Sequence, residues 1–127
     1  MKAQQQRKAS LFRRRFINTV CFSWHGLRDA WATEEAFRIE VLVSILLVPA
    51  AVLLGRTNVE VALLICSLFL VLIVELVNTA IEKTVDRIST TPHALSKSIK
   101  DIGSAAVLLS IILTVILWGT VIIDRVS

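Results

Sequence analysis

The stretch Val71-Leu-Ile-Val-Glu75-Leu-Val-Asn78-Thr-Ala-Ile-Glu82-Lys-Thr-Val-Asp86-Arg87 decides the fold. A hydrophobic run from near Val59 flows into it without a break. Its polar residues recur at steps of three, four and four: Glu75, Asn78, Glu82, Asp86. At helical pitch these four fall within an arc of roughly 80°. One helix therefore carries a narrow acidic stripe whose upper part lies in an apolar run of membrane-spanning length. Carboxylates at membrane depth are costly, so they face a protein interior or a wet cavity where they have a function.

The remaining composition agrees with a membrane protein. Hydrophobic residues make up 55% of the 127 residues and mean hydropathy is +0.73, while charged residues are 19% and gather at the ends and in one loop. Such a chain is too apolar for an ordinary soluble domain. The formal net charge of +4 then points to a membrane surface and not to nucleic acid. Cys21 and Cys66 show neither CxxC nor metal-ligand spacing and read as small apolar fillers without a disulfide. No signal peptide is expected, because the segment after Arg13-Arg14-Arg15 is interrupted by charge.

Working outward, residues 1–10 (MKAQQQRKAS) are polar and without period and read as a flexible tail; residues 11–127 read as a single membrane domain. From Leu11, Phe12, Phe16, Val20, Trp24, Leu27 and Trp31 recur at three and four, with Arg13, Arg14, Asn18, His25, Arg28 and Asp29 on much of the other side. This predicts an amphipathic surface helix over 11–33, of the kind that lies in the headgroup layer. Spans are predicted at about 36–55, 58–88 and 99–124. Pro49 is expected to kink the first, Gly55-Arg-Thr-Asn58 to form a turn, Ser89–Ser98 to form a polar loop, and Trp118 to sit at a membrane interface. The fold class is thus an all-α membrane protein with three transmembrane helices and an N-terminal amphipathic helix. Three spans enclose little, so a catalytic site is expected to need walls from neighbouring subunits.

Apart from Arg56 and Arg125, the Lys and Arg residues lie before or just inside the first span or between 83 and 100. The positive-inside rule then places the N-terminus and the 83–100 region in the cytoplasm and the C-terminus outside. Glu82 and Asp86 become cytoplasmic, and Glu75 lies roughly 10 Å deeper at 1.5 Å per residue. One carboxylate near the lipid and another in the aqueous layer suit a reaction between a lipid alcohol and a water-soluble phosphoryl donor. Mg²⁺ bridging phosphates takes one or two protein carboxylates. A separate carboxylate accepts the proton of the attacking hydroxyl. Glu34 is available as a second metal ligand, and Lys100 can neutralise phosphate charge. A P-loop and the protein-kinase motif set are both absent from the sequence. The rival reading is a non-enzymatic membrane protein in which Glu75 relays protons; it has no use for Glu82, Asp86 and Lys100 gathered outside the lipid.

At these residues the chain resembles a known family. Glu75-Leu-Val-Asn78-Thr-Ala-Ile-Glu82-Lys-Thr-Val-Asp86 is similar to the E-x-x-N-[ST]-A-I-E-x-x-x-D pattern of the prokaryotic diacylglycerol kinases. Ser23-Trp24-x-Gly26-Leu27-Arg28-x-Ala30-Trp31, Glu34-x-Ala36-Phe37-Arg38-x-Glu40 and Lys100-Asp101-x-Gly103-Ser104-Ala105-Ala106-Val107 extend the likeness over most of residues 15–123. The resemblance implies a bacterial inner-membrane homotrimer that phosphorylates diacylglycerol to phosphatidic acid with ATP and Mg²⁺, its active sites shared between subunits. It implies Glu75 as general base, Asn78 orienting groups around it, and Glu34 and Glu82 holding the metal. Arg15, Phe22, Thr91, Pro92, His93, Lys100 and Asp101 would contact ATP. Arg15, Ser23, Trp24, Arg28, Trp31, Glu40, Glu75 and Ser104 would line the lipid headgroup site. Undecaprenol is the alternative acceptor, used by close relatives with the same pattern. Phe22 stands where Tyr is common, His25 where Lys is frequent, Ile39 where Gln is frequent and Asn18 where a basic residue is often found. These departures touch peripheral contacts, not the Glu75, Glu82 and Glu34 set.

Overall fold

In the computed structural model the backbone is described for residues 2–127 and side chains for residue 15 and residues 17–127. The periodic positions Phe12, Arg13, Arg14 and Phe16 therefore lie outside the described side chains. The described residues form four α-helices: α1 Lys2–Thr33, α2 Glu35–Leu54, α3 Asn58–Ile88 and α4 Ala94–Val126. α2, α3 and α4 are each long and apolar enough to cross a membrane. The chain divides into two compact units, Met1–Thr33 and Glu34–Ser127.

The first unit is α1. It starts at Lys2 and not at Leu11, so the helix includes most of the segment read as a tail. Lys-Ala-Gln-Gln-Gln-Arg-Lys-Ala is made of good helix formers with no Gly or Pro, and propensity carries the helix where no apolar period exists. Thr19 Oγ1 and Thr33 Oγ1 donate to the carbonyls of Arg15 and Asp29, four residues back.

The second unit is a three-helix assembly in which α3 packs mainly on α4 and also on α2. Its boundaries follow from caps. Glu34 is the extended residue ahead of α2, and Glu35 places a negative charge in the first turn, favourable to the helix dipole. Pro49 lies inside α2 and removes one backbone donor from it. Gly55 closes α2 by donating its N–H to Ala51 O at 3.0 Å; a Cβ there would stand 2.5 Å from Val61 Cγ2, so only glycine lets the chain turn this tightly. Thr57 then caps α3 by accepting from Glu60 N at 3.2 Å, while Glu60 Oε2 accepts from Arg56 N at 2.7 Å. This reciprocal arrangement is close to a capping box. Arg56 also pairs with Asp124 at 3.1 Å, tying the turn to the end of α4.

α4 begins at Ala94, five residues before the predicted start, which shortens the polar loop to the residues between Ile88 and Ala94. His93 Nδ1 caps it by accepting from Leu95 N at 3.1 Å. The Lys97–Asp101 ion pair at 2.7 Å, spaced i,i+4, supports the added turn.

The core of this unit is Ala51, Leu64, Leu68 and Trp118. Trp118 of α4 is buried against Ala51 of α2 and Leu64 and Leu68 of α3. Deeper contact between α3 and α4 is made through small hydroxyls. Thr114 Oγ1 reaches Ser67 O at 3.2 Å and Ser110 O at 3.0 Å, one proton shared between two carbonyls. Leu64 is fully buried in this cluster. Leu64→Ala is expected to destabilise the assembly by about 2 kcal/mol, the cavity contribution alone, since helices in lipid or detergent gain little from leaving water. Unfolding in mixed denaturing micelles measures it; an unchanged midpoint would show that this cluster does not hold the helices together.

Candidate active site

The acidic stripe of α3 runs from inside to outside. Glu75 and Asn78 are buried, Glu82 is half-buried and Asp86 is exposed. The order follows from helix geometry: each step of three or four residues keeps the face and moves the side chain about 5 Å along the axis. On this face Gly103 of α4 stands against Asn78, and Lys100 of α4 reaches Asp86 near the end of α3.

The stripe is joined by carboxylates of α2 and its cap. Glu34 and Glu82 lie close enough to Glu75 for their charges to act on it. Glu75 in turn acts on Glu40, whose Oε2 is buried with no hydrogen-bond partner among the described residues. Four carboxylates thus share one region, a concentration of negative charge that calls for cations. One is present: Lys83 Nζ stands 3.6 Å from Glu34 Oε1. Asn78 Nδ2 donates to Glu82 Oε1 at 3.0 Å and so fixes Glu82. Asn78 Oδ1 is buried with no hydrogen-bond partner among the described residues.

Hard oxygen donors of this kind suit Mg²⁺, which binds through one or two carboxylates and otherwise keeps water or phosphate oxygens. Among the described residues no three His, Cys, Asp or Glu side chains form a ready-made metal cage. Glu34 and Glu82, whose charges both act on Glu75, are carboxylates that could hold such an ion.

Beyond the end of α3 lies a cleft of about 570 Å³. Asp86, Thr91, Pro92, His93, Lys100 and Asp101 are among the residues that line it. Lys100 Nζ pairs with Asp86 Oδ1 at 2.6 Å across it. Ser89 and Thr91 hydroxyls bond each other at 2.6 Å and shape the loop. A second cavity of about 260 Å³ is almost wholly apolar, with Glu40, Ser44 and Thr114 its polar members.

The structure thus brings together Glu34, Glu40, Glu75, Asn78 and Glu82 in one cluster, and Thr91, Pro92, His93, Lys100 and Asp101 in one cleft. It does not bring Ser104 to the Glu40 cavity: Ser104 is exposed on α4. Arg15, Phe22, Ser23, Trp24, Arg28 and Trp31 are all exposed on α1. Sequence reasoning missed Lys83 as the partner of Glu34, and Lys97 with Ser96 in the cleft. The i,i+4 spacing of Lys97 to Asp101 was the available signal for the second; nothing local announces the first, since the pair joins α3 to the residue ahead of α2.

Three apolar helices and a column of carboxylates running from the helix interior to a charged cleft define the class: a small polytopic membrane enzyme. The family pattern described as "Prokaryotic diacylglycerol kinase" matches residues 21–122. The chain is 49% identical over 104 residues to the diacylglycerol kinase of Escherichia coli K12, covering 82% of this chain and 85% of that one. It is 43% identical over 110 residues to the diacylglycerol kinase of Pseudomonas aeruginosa, covering 87% and 89%. To that of Haemophilus influenzae it is 43% identical over 103 residues, covering 81% and 87%. The chain belongs to the prokaryotic diacylglycerol kinase family. It is therefore an enzyme, and the proton-relaying reading is set aside.

Proposed function

We propose that this protein transfers the γ-phosphoryl group of ATP to the free hydroxyl of diacylglycerol, forming phosphatidic acid at the cytoplasmic face of a bacterial inner membrane. The observation that carries the reading is the position of Glu75, buried in a membrane-length helix on the same face as the half-buried Glu82. Membership of the family and the relatives' names support the choice of reaction.

In this reading Glu75 accepts the proton of the acceptor hydroxyl as its oxygen attacks the γ-phosphorus. The bond from that phosphorus to the bridging oxygen breaks, and ADP leaves. Glu34 and Glu82 would hold Mg²⁺, which would offset charge on the transferring phosphoryl group. Asn78 holds Glu82 in place. Lys100 and Asp101, with Thr91, Pro92 and His93, receive the nucleotide in the cleft. Glu40 stands at the apolar cavity, where a glycerol backbone would meet its acyl chains. The family resemblance supports a nucleotide-contacting role for Arg15 and Phe22 and a lipid-headgroup role for Arg15, Ser23, Trp24, Arg28 and Trp31.

The helices expose large apolar side chains such as Leu46 and Leu53, and we assign these faces to lipid and to two further copies of the chain in a homotrimer. The basic residues before α2 and around the 83–100 segment favour a cytoplasmic position for that end and an outside position for the C-terminus.

The acceptor is tested by initial rates on diacylglycerol and undecaprenol, each in mixed micelles with saturating Mg-ATP. Faster phosphorylation of diacylglycerol is expected. A clear preference for undecaprenol would keep the kinase and replace the substrate.

A further inference from the structure

Gly103 lies on α4 directly opposite Asn78 of α3. It is buried, and a Cβ placed on it would run into Asn78 Oδ1 and stand 3.2 Å from Asn78 Cγ. The direction of that missing Cβ is the direction of a glycine Cα hydrogen. A weak C–H donor therefore faces the amide oxygen, which has no other partner among the described residues. On the other side of the amide, Nδ2 donates to Glu82 Oε1 at 3.0 Å. Reversing the amide would turn its oxygen toward a carboxylate and its NH₂ toward a C–H group, unfavourable on both sides. Asn78 has only two side-chain torsions, so moving its tip away from α4 also breaks the bond to Glu82.

We propose that Gly103 is a positioning residue of the site: its lack of a side chain holds the Asn78 amide in the orientation that fixes Glu82. One Glu82 oxygen is then committed to Asn78, and the other is left for the metal and its phosphate. This rests on the role of Glu82 given above. Gly119, on the same helix, has nothing within 4 Å of the position a Cβ would take and serves as the matched control.

The test is binding of Mn²⁺-ATP, read by electron paramagnetic resonance, to the full-length protein and four variants: Gly103→Ala, Asn78→Ala, the double variant, and Gly119→Ala. Gly103→Ala is expected to weaken binding by about 10–100-fold, as loss of a group that orients a ligand does. Asn78→Ala should lose a similar amount, the double variant no more than either, and Gly119→Ala nothing. Losses that multiply in the double variant, or wild-type binding by Gly103→Ala, would overturn the proposal. If Gly103→Ala does not fold, a double variant that folds like Asn78→Ala supports the clash, and one that also fails to fold refutes it. Wild-type protein that does not bind Mn²⁺-ATP would sink the function reading itself, whereas wild-type binding with an indifferent Gly103→Ala sinks this inference alone.

Discussion

Glu75→Gln is expected to abolish phosphoryl transfer, lowering turnover by about 10²–10⁴-fold, the range for removal of a general base. Glutamine keeps the size and a hydrogen-bonding oxygen but cannot take a proton. The substitution also removes one negative charge from the Glu34, Glu40 and Glu82 cluster, so metal–nucleotide binding is expected to survive largely intact. Turnover under saturating substrates and equilibrium Mg-ATP binding separate the two effects. Lost nucleotide binding with normal turnover at saturating ATP would assign Glu75 to the metal and leave the base unidentified.

Glu82→Gln has the opposite signature. Its carboxylate is half-buried, held by Asn78 at 3.0 Å and close to Glu75. Losing the charge weakens Mg-ATP binding on the order of 100-fold, about 2.8 kcal/mol, and raising Mg²⁺ restores part of the rate. Glutamine still accepts from Asn78, so the effect isolates the charge from the side-chain bond. An unchanged apparent Mg²⁺ affinity would remove Glu82 from the metal site.

The two substitutions draw on parts of the molecule that were unequally legible. The α3 boundaries, Asn58–Ile88, coincide with the reading of an apolar run that continues into a polar stripe. Spacing along a single helix dictates which face Glu75, Asn78, Glu82 and Asp86 share, because that is a property of pitch alone. The start of α4 was not legible. His93 reads as a surface residue until its ring is seen capping Leu95 N, and Ser-Lys-Ser reads as loop until Lys97 is seen paired with Asp101. Trp118, a tryptophan near a span end, reads as a headgroup-layer residue, and its packing on Ala51, Leu64 and Leu68 is visible only once the helices are assembled.

Contacts between helices were least legible. Small residues from Gly103 to Ala106 announce close approach, but not that Gly103 meets the oxygen of Asn78. The Glu34–Lys83 pair and the Lys100–Asp86 pair likewise join residues far apart in the chain. Polar residues within one helix can be aligned from sequence; the partner across the groove depends on rotation and depth of the neighbouring helix, which apolar faces of similar character leave unspecified.

Carboxylates graded from the apolar interior to the aqueous edge of α3 are what would let a lipid alcohol meet a nucleotide. The most direct measurement is transfer of label from [γ-³²P]ATP by the purified wild-type protein in diacylglycerol mixed micelles, with and without Mg²⁺. Mg²⁺-dependent label in phosphatidic acid, and in no other lipid, is the expected result. Label released only as inorganic phosphate, or none transferred while Mg-ATP is bound, would contradict it.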